Sequence, residues 1–168
     1  MAIFHVSITD EQAALIENSP LFFVASADPE LRSGADGVGP VNVSPRGGVP
    51  LHILDRNRVA FLDYAGSGNE TARHSEAGGP VTIMVCSFEE ENAAIVRLYG
   101  KARVTPVENS PIADLLLQSE ATDINLPTRQ IVEVDVERTA TSCGFGVPVM
   151  SFVRDRGRSE RGRKYKGS

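Results

Sequence analysis

Val81-Thr-Ile-Met-Val-Cys-Ser-Phe-Glu-Glu-Glu-Asn-Ala-Ala-Ile-Val-Arg-Leu-Tyr-Gly-Lys-Ala-Arg-Val-Thr105 decides the fold class. Its two flanks, Val81 to Phe88 and Ala94 to Thr105, carry β-branched and apolar residues at strand density. Glu89-Glu-Glu-Asn92 lies between them as a polar turn, so the stretch predicts paired antiparallel strands. Working outward, Leu21 to Ala27 is a dense apolar run of strand length. Val41 to Ser44 reads as a short strand, Leu51 to Leu54 as a candidate, and Asn57 to Tyr64 as another. Gln130 to Val136 alternates Ile131, Glu133 and Asp135 against Val132, Val134 and Val136, the pattern of a half-buried strand. With 15 glycines and 10 prolines for turns, strands so many and so evenly spaced predict a closed or partly closed antiparallel barrel.

Helices are few. Thr9-Asp-Glu-Gln12 forms a capping box that opens a helix, and Asn18-Ser-Pro20 stops it. A second helix is expected from about Asn69 to Ala77, closed by Gly78-Gly-Pro80. Ser110-Pro111 supplies an N-cap and first turn for a third, running to about Ser119. Asp28 to Pro40, rich in Gly, Asp and Pro, reads as a mobile loop.

The 168 residues, 41% of them apolar, are enough for one cored domain. We expect that domain over residues 1–153, with a basic tail over 154–168. The tail holds seven Lys/Arg against two Asp/Glu, a local +5 that leaves the rest at −10 in a chain of net −5. With one tyrosine as its only aromatic and no repeated spacing, the tail reads as a solvated extension, and nucleic acid is not expected as a partner. No apolar run approaches the ~20 residues of a membrane helix, and the N-terminus lacks the pattern of a secretory signal. Cys86 and Cys143 are far apart and form no metal spacing, so a reduced, cytoplasmic protein is expected.

Chemistry concentrates in Phe61-Leu-Asp-Tyr-Ala-Gly-Ser-Gly-Asn-Glu-Thr-Ala-Arg-His74, where an apolar strand enters a loop of small hydrogen-bonding residues and then a helix. Such a loop lets a phosphate approach the main chain, with Ser67, Asn69 and Thr71 as side-chain donors and the helix dipole behind them. The plainer reading is a tight strand-to-helix connection with Asn69 as N-cap. Thr71 stands where G-x-G-x-x-G requires its third glycine, and no Gly-Lys-Ser/Thr follows, so neither a dinucleotide fingerprint nor a Walker loop is present. In Val41-Asn-Val-Ser-Pro-Arg-Gly47, Pro45 is expected to help end the strand and Arg46 to offer a guanidinium shaped for phosphate.

The remaining candidates say less. His5 is placed in a frayed terminus, His52 beside strand residues, and His74 on the polar side of a short helix; no metal site is expected. Cys86 reads as a buried small hydrophobe. Thr141-Ser-Cys-Gly-Phe-Gly-Val-Pro148 has the composition of a loop over a flat ligand, or of a glycine-rich turn after the last strand.

Taken in order, Leu21 to Asp28, Val41 to Gly47, Leu62 to Ala72, Val81 to Cys86, Arg97 to Arg103 and Thr141 to Pro148 resemble the pyridoxamine 5′-phosphate oxidase-like, FMN-binding split-barrel proteins. The likeness runs to about Phe152 and is nearer the broad, poorly characterised branch than the oxidase itself. It implies a six-stranded antiparallel split β-barrel with flanking helices, built as a homodimer with FMN in the cleft between subunits. By that likeness Ser44 and Arg46 hold the ribityl phosphate, Ser67, Gly68, Asn69 and Thr71 make its second contact, and Asp63 and Tyr64 border the ribityl chain or ring. Gly144 and Phe145 would reach the ring's edge or come from the partner subunit. Two departures argue against pyridoxine phosphate as substrate: Glu70-Thr71 replaces the basic Arg-Lys pair of the phosphate loop, and the oxidase's terminal Arg and His pattern is not recognisable in residues 154–168. Arg46 and Arg73 would then be the main charges facing the phosphate.

The resulting expectation is an FMN-dependent oxidoreductase that transfers hydride at the flavin N5 of FMN, with no side-chain base assigned and with substrate and redox partner open among oxygen, a nicotinamide, a deazaflavin and a quinone. A non-catalytic protein that stores, carries or senses FMN, haem or another planar cofactor is the alternative. A structural dimer that has lost its cofactor is a third.

Overall fold

The computed structural model describes residues 1–35, 38–66, 68–118 and 127–156. Eight strands form one antiparallel sheet. They are β1 (Ile3–His5), β2 (Leu21–Ala27), β3 (Val41–Gly47), β4 (His52–Asp55), β5 (Arg58–Tyr64), β6 (Pro80–Cys86), β7 (Ala94–Pro106) and β8 (Thr128–Cys143). Three helices flank it: α1 (Asp10–Asn18), α2 (Glu70–Glu76) and α3 (Ala113–Gln118). The pairing order is β3-β2-β6-β7-β8-β5-β4, with β1 added to β8. Among the described residues the strand count is therefore eight, not six, because β1 and β4 add short edges to the sheet.

Alternation rolls this sheet around one core. Phe22 and Val24 of β2, Ile83 and Val85 of β6, Val96 and Leu98 of β7, Val132, Val134 and Val136 of β8, and Val59 and Phe61 of β5 all belong to a single buried cluster. Their period of two turns every second side chain inward, and Phe22 meets Phe61 edge-on at 5.2 Å. The opposite face of β5 and β8 buries Ala60, Leu62 and Ile131 under Leu116 of α3. Ile8 and Ile16 seat α1 against the main core. Its capping box is formed as the sequence predicts: Thr9 Oγ1 accepts from the Gln12 N–H, and Gln12 Oε1 accepts from the Thr9 N–H. Among the described residues no helix is long and apolar enough to cross a membrane.

β3 and β4 end the pairing order and do not bond to each other, so the barrel is split between them. Pro45 lies within β3, paired opposite Phe23, and does not end the strand. An edge strand tolerates the missing N–H, so β3 runs to Gly47 and carries Arg46 inside a regular ladder.

The last strand also runs past its expected end. Tyr99 pairs with Arg138 but Gly100 with Val136, which leaves Glu137 as a bulged residue. The bulge breaks the inward-outward alternation at Val136. The ladder resumes to Cys143, and β1 pairs with its far half through Phe4↔Ala140. His5 is therefore in a strand and not in a frayed end, and the glycine-rich turn starts only at Gly144.

Gly79 fixes how α2 meets the sheet. A Cβ there would collide with the Ala27 carbonyl oxygen and stand 2.9 Å from the His74 carbonyl oxygen, both backbone atoms with no freedom to retreat. Gly79→Ala should lower the unfolding free energy by ~1–3 kcal/mol, the usual range for overpacking. Urea denaturation of the two proteins measures it.

Candidate functional site

The polar residues of interest sit on inward-facing positions at the split. Arg46 lies opposite Phe22 on β3, and its guanidinium carbon stands 5.8 Å from the Phe61 ring centre. Asp63 continues the inward series Val59, Phe61 of β5, and Gln130 continues that of Val132 and Val134 on β8. Apolar side chains fill the middle of the barrel, and polar ones finish it here.

Asp63 organises the cluster. Its side chain is only 3% exposed. Arg46 Nη1 lies 2.6 Å from Oδ1, and Arg129 Nη2 lies 2.6 Å from Oδ2. Gln130 Nε2 donates to Oδ2 at 2.7 Å and also to Asn69 Oδ1 at 2.8 Å. Arg129 Nη1 donates to the Gly68 carbonyl at 3.1 Å. One carboxylate thus gathers β3, β5, β8 and the loop before α2. The Arg46–Asp63 pair spans the split, where no backbone hydrogen bond can.

Two guanidinium charges against one carboxylate leave these three side chains at +1. Arg46 Nε, Arg129 Nε and Thr71 Oγ1 are buried with no hydrogen-bond partner. A buried polar group left so costs ~1–3 kcal/mol. Three such atoms around a net positive cluster are the arrangement an anion would satisfy.

The cluster unites four of the ten residues expected from sequence. Arg46, Asp63, Gly68 and Asn69 are linked directly, with Thr71 two residues along. Ser44 lies on the same β3 face, its Oγ accepting from Asn42 Nδ2 at 3.0 Å. Tyr64 follows Asp63, half-buried against the core. Ser67 lies outside the described residues. Asn69 occupies the N-cap position of α2, but its side chain caps nothing and bonds Gln130 instead. The helix is only seven residues long, so its dipole adds little, and the donors must be side chains. Gly144 and Phe145 follow the opposite end of β8, fourteen residues beyond Gln130. That is ~40 Å along the strand, and Phe145 is 96% exposed. One chain does not bring them to Arg46.

Arg129 and Gln130 were not legible as site residues. Register explains why: Asp63 pairs with Gln130 but Tyr64 with Thr128, so Arg129 is an extra, bulged residue. In a regular strand neighbours 129 and 130 point to opposite faces. The bulge lets both reach Asp63.

A second network lies on the other side of α2. His74 is fully buried, not on a polar helix face. Its Nε2 is 2.8 Å from Arg73 Nη2, and its Nδ1 is 2.9 Å from Ser26 Oγ. Arginine can only donate, so Nε2 accepts and the Nδ1 proton faces Ser26. Arg73 also reaches the Arg32 and Gly39 carbonyls, both at 3.4 Å, and Asp28 Oδ2 at 3.7 Å. Asp28 accepts from the backbone N–H of Glu30 and Arg32 and from the Arg32 guanidinium. Burial pushes the Asp28 carboxyl up, but those hydrogen bonds outweigh it and leave it below its ordinary value. The loop expected to be mobile is thus tied to α2 at both ends. Among the described residues no group of three His, Cys, Asp or Glu could hold a metal. Burial raises the Cys86 thiol, consistent with a packing role; Cys143 is exposed. Two surface hollows, ~510 Å³ beside α1, β4 and α3 and ~630 Å³ beside β1, lie away from the polar cluster.

Comparison with known proteins places this arrangement. The pyridoxamine 5′-phosphate oxidase family profile matches residues 8–143. The chain belongs to that family. It is 32% identical over 158 residues to the pyridoxamine 5′-phosphate oxidase family protein ustO of Aspergillus flavus, a match over 92% of this chain and 59% of ustO. The chain thus spans about three-fifths of the relative's length. Among solved structures, HupZ of Group A Streptococcus aligns with a TM-score of 0.56 at 22% identity, over 79% of this chain and 91% of that one. An FMN-binding protein of Syntrophomonas wolfei aligns at 0.55 and 11% identity, over 84% and 90%. At these identities the structures establish the shared split-barrel fold, and the family assignment rests on the sequence matches.

The buried histidine makes folding pH-dependent. Burial first, then the neighbouring Arg73 charge, hold His74 below the usual 6.5, against smaller opposing effects of Asp28 and Glu70. The unfolded chain therefore takes up a proton that the folded one refuses. Stability should be level above about pH 6.5 and fall as pH drops from there towards the folded value. Urea midpoints measured from pH 8 to pH 5 should show this decline, and it should shrink in His74→Gln; an equal slope in both would assign the effect elsewhere.

Proposed function

We propose that this protein binds FMN at the split and uses it as an oxidoreductase on a small molecule. The observation that carries the reading is the set of orphaned donors, Arg46 Nε, Arg129 Nε and Thr71 Oγ1, beside a cluster of net charge +1. A phosphate ester supplies the acceptors these groups lack, and family membership supplies the flavin. Ser44, Arg46, Gly68, Asn69 and Thr71 hold the phosphate end, with Ser67 assigned by resemblance alone. Asp63, tied by three side chains, serves as the internal anchor of the arginines, and Tyr64 borders the ribityl chain or ring. Bound FMN would supply a centre at N5 able to accept or give a hydride. No side chain of the cluster is free to act as a general base, so proton chemistry is left to substrate and solvent.

A second copy of the chain completes the site in this reading. After β8 the chain crosses the end of the sheet, with the Met150 N–H on the Phe88 carbonyl. Asp155 reaches Gly47 at the end of β3. Phe145, Val149, Met150, Phe152 and Val153 along this strap are exposed, as are Val41 and Val43 on the outer face of β3. Pairing would cover these side chains and bring the partner's Phe145 towards the flavin. Work inside the cell is part of the same proposal.

Titration of the flavin-free protein tests the cofactor. FMN should bind more tightly than riboflavin, and Arg46→Ala should weaken FMN about ten- to hundredfold while sparing riboflavin. Equal losses for both would remove Arg46 from the phosphate. Bleaching by a reduced nicotinamide or reduced deazaflavin and recovery on an acceptor support turnover; a flavin that stays oxidised with all of them leaves the carrier alternative. Dilution to monomer should release flavin, followed by sedimentation and fluorescence together, whereas a monomer that keeps its flavin contradicts a shared site.

A further inference from the structure

The loop before α2, Gly66-Ser-Gly-Asn-Glu-Thr71, contains no Lys or Arg. Arg46 and Asp63 alone would offer a phosphate dianion no net positive charge. A second guanidinium comes from elsewhere in the fold. Arg129 is the bulged residue of the β5–β8 ladder, and the bulge turns it into the cluster beside its neighbour Gln130. It lies on the opposite oxygen of the same carboxylate as Arg46, each at 2.6 Å.

We propose that Arg129 is the second cationic ligand of the flavin phosphate, beside Arg46. The proposal rests on the flavin reading above. Three observations carry it. Arg129 Nη1 is bonded to the Gly68 carbonyl, which ties the guanidinium to the loop expected to touch the phosphate. Its Nε proton is buried without an acceptor, as are Arg46 Nε and the Thr71 hydroxyl. Asp63, almost fully buried, holds the two guanidiniums together in advance, so their repulsion is already offset before an anion arrives. Arg129 raises the summed charge of Arg46, Asp63 and itself from 0 to +1, which sets two cations against the Asp63 carboxylate and the Glu70 carboxylate packed on Gly68.

Flavin-free full-length chain and its Arg129→Ala and Arg129→Lys variants should be titrated with FMN and with riboflavin, with thermal unfolding as the folding control. Arg129→Ala should weaken FMN about ten- to hundredfold and leave riboflavin within about twofold. Arg129→Lys, which keeps the charge but not the fork, should recover part of the loss, and it stands in where the alanine variant does not fold. The second ionisation of bound FMN, followed by its phosphorus resonance, should move up in either variant because a neighbouring cation is lost or displaced. Unchanged FMN affinity, equal losses for FMN and riboflavin, or an unmoved phosphate ionisation would reduce Arg129 to a brace for Asp63 and overturn the proposal. Failure of the unaltered protein to bind either flavin would instead overturn the cofactor reading, and this inference with it.

Discussion

One buried carboxylate holds the functional end of this fold together. Asp63 lies at the last inward position of β5, beyond the point where apolar side chains fill the barrel. Left alone there it would carry a large desolvation cost; with two guanidiniums and an amide it becomes a junction. The junction also meets a topological need. β3 and β4 end the pairing order without closing it, and Arg46 reaching from β3 to Asp63 spans that gap with side chains where backbone hydrogen bonds do not. The same residues therefore bridge the split and leave buried donors without partners beside it.

The helix after β5 links this junction to a second one. Its first residues lie beside Gln130 and Arg129, while Arg73 and His74 engage Asp28, Ser26 and the carbonyls of the loop between β2 and β3. Seven residues cannot form an independently stable helix, so α2 depends on these tethers and on the close seat of Gly79 against Ala27. A shift at one junction has a short, stiff route to the other. The loop and the cluster thus pack on the same short helix and share no direct bond among the contacts described.

Family membership and geometry answer different questions. The family match covers residues 8–143 and accounts for the barrel. It does not reach how the proposed phosphate would be held, since residues 66–71 of the loop contain no Lys or Arg. The bulge at Arg129 offers a physical answer, because a one-residue irregularity in a ladder re-aims a side chain without changing the fold. The strap after β8 presents a different problem: a run of exposed apolar side chains on a surface whose neighbouring edge is also apolar. The second copy proposed above would cover these side chains.

Period and punctuation in the sequence determined much of this protein. The apolar run of Leu21 to Ala27, the alternation of Gln130 to Val136, the capping box at Thr9, and Gly78-Gly-Pro80 each specify local structure through contacts within a few residues, so they were readable without coordinates. Arg46, Asp63 and Asn69 were legible as candidates because their segments carry a recognisable order of residue types. Tertiary structure decided the rest. Which strands are neighbours, that Pro45 lies within an edge strand, and that His74 is buried all depend on elements distant in the chain. The two bulges, at Glu137 and Arg129, are differences in length between paired strands, and no single strand contains that information. Sequence named Arg46, Arg73 and one carboxylate; the structure turns Arg73 to His74 and Asp28 instead, and only the register of β5 on β8 brought Arg129 to the same oxygen pair as Arg46.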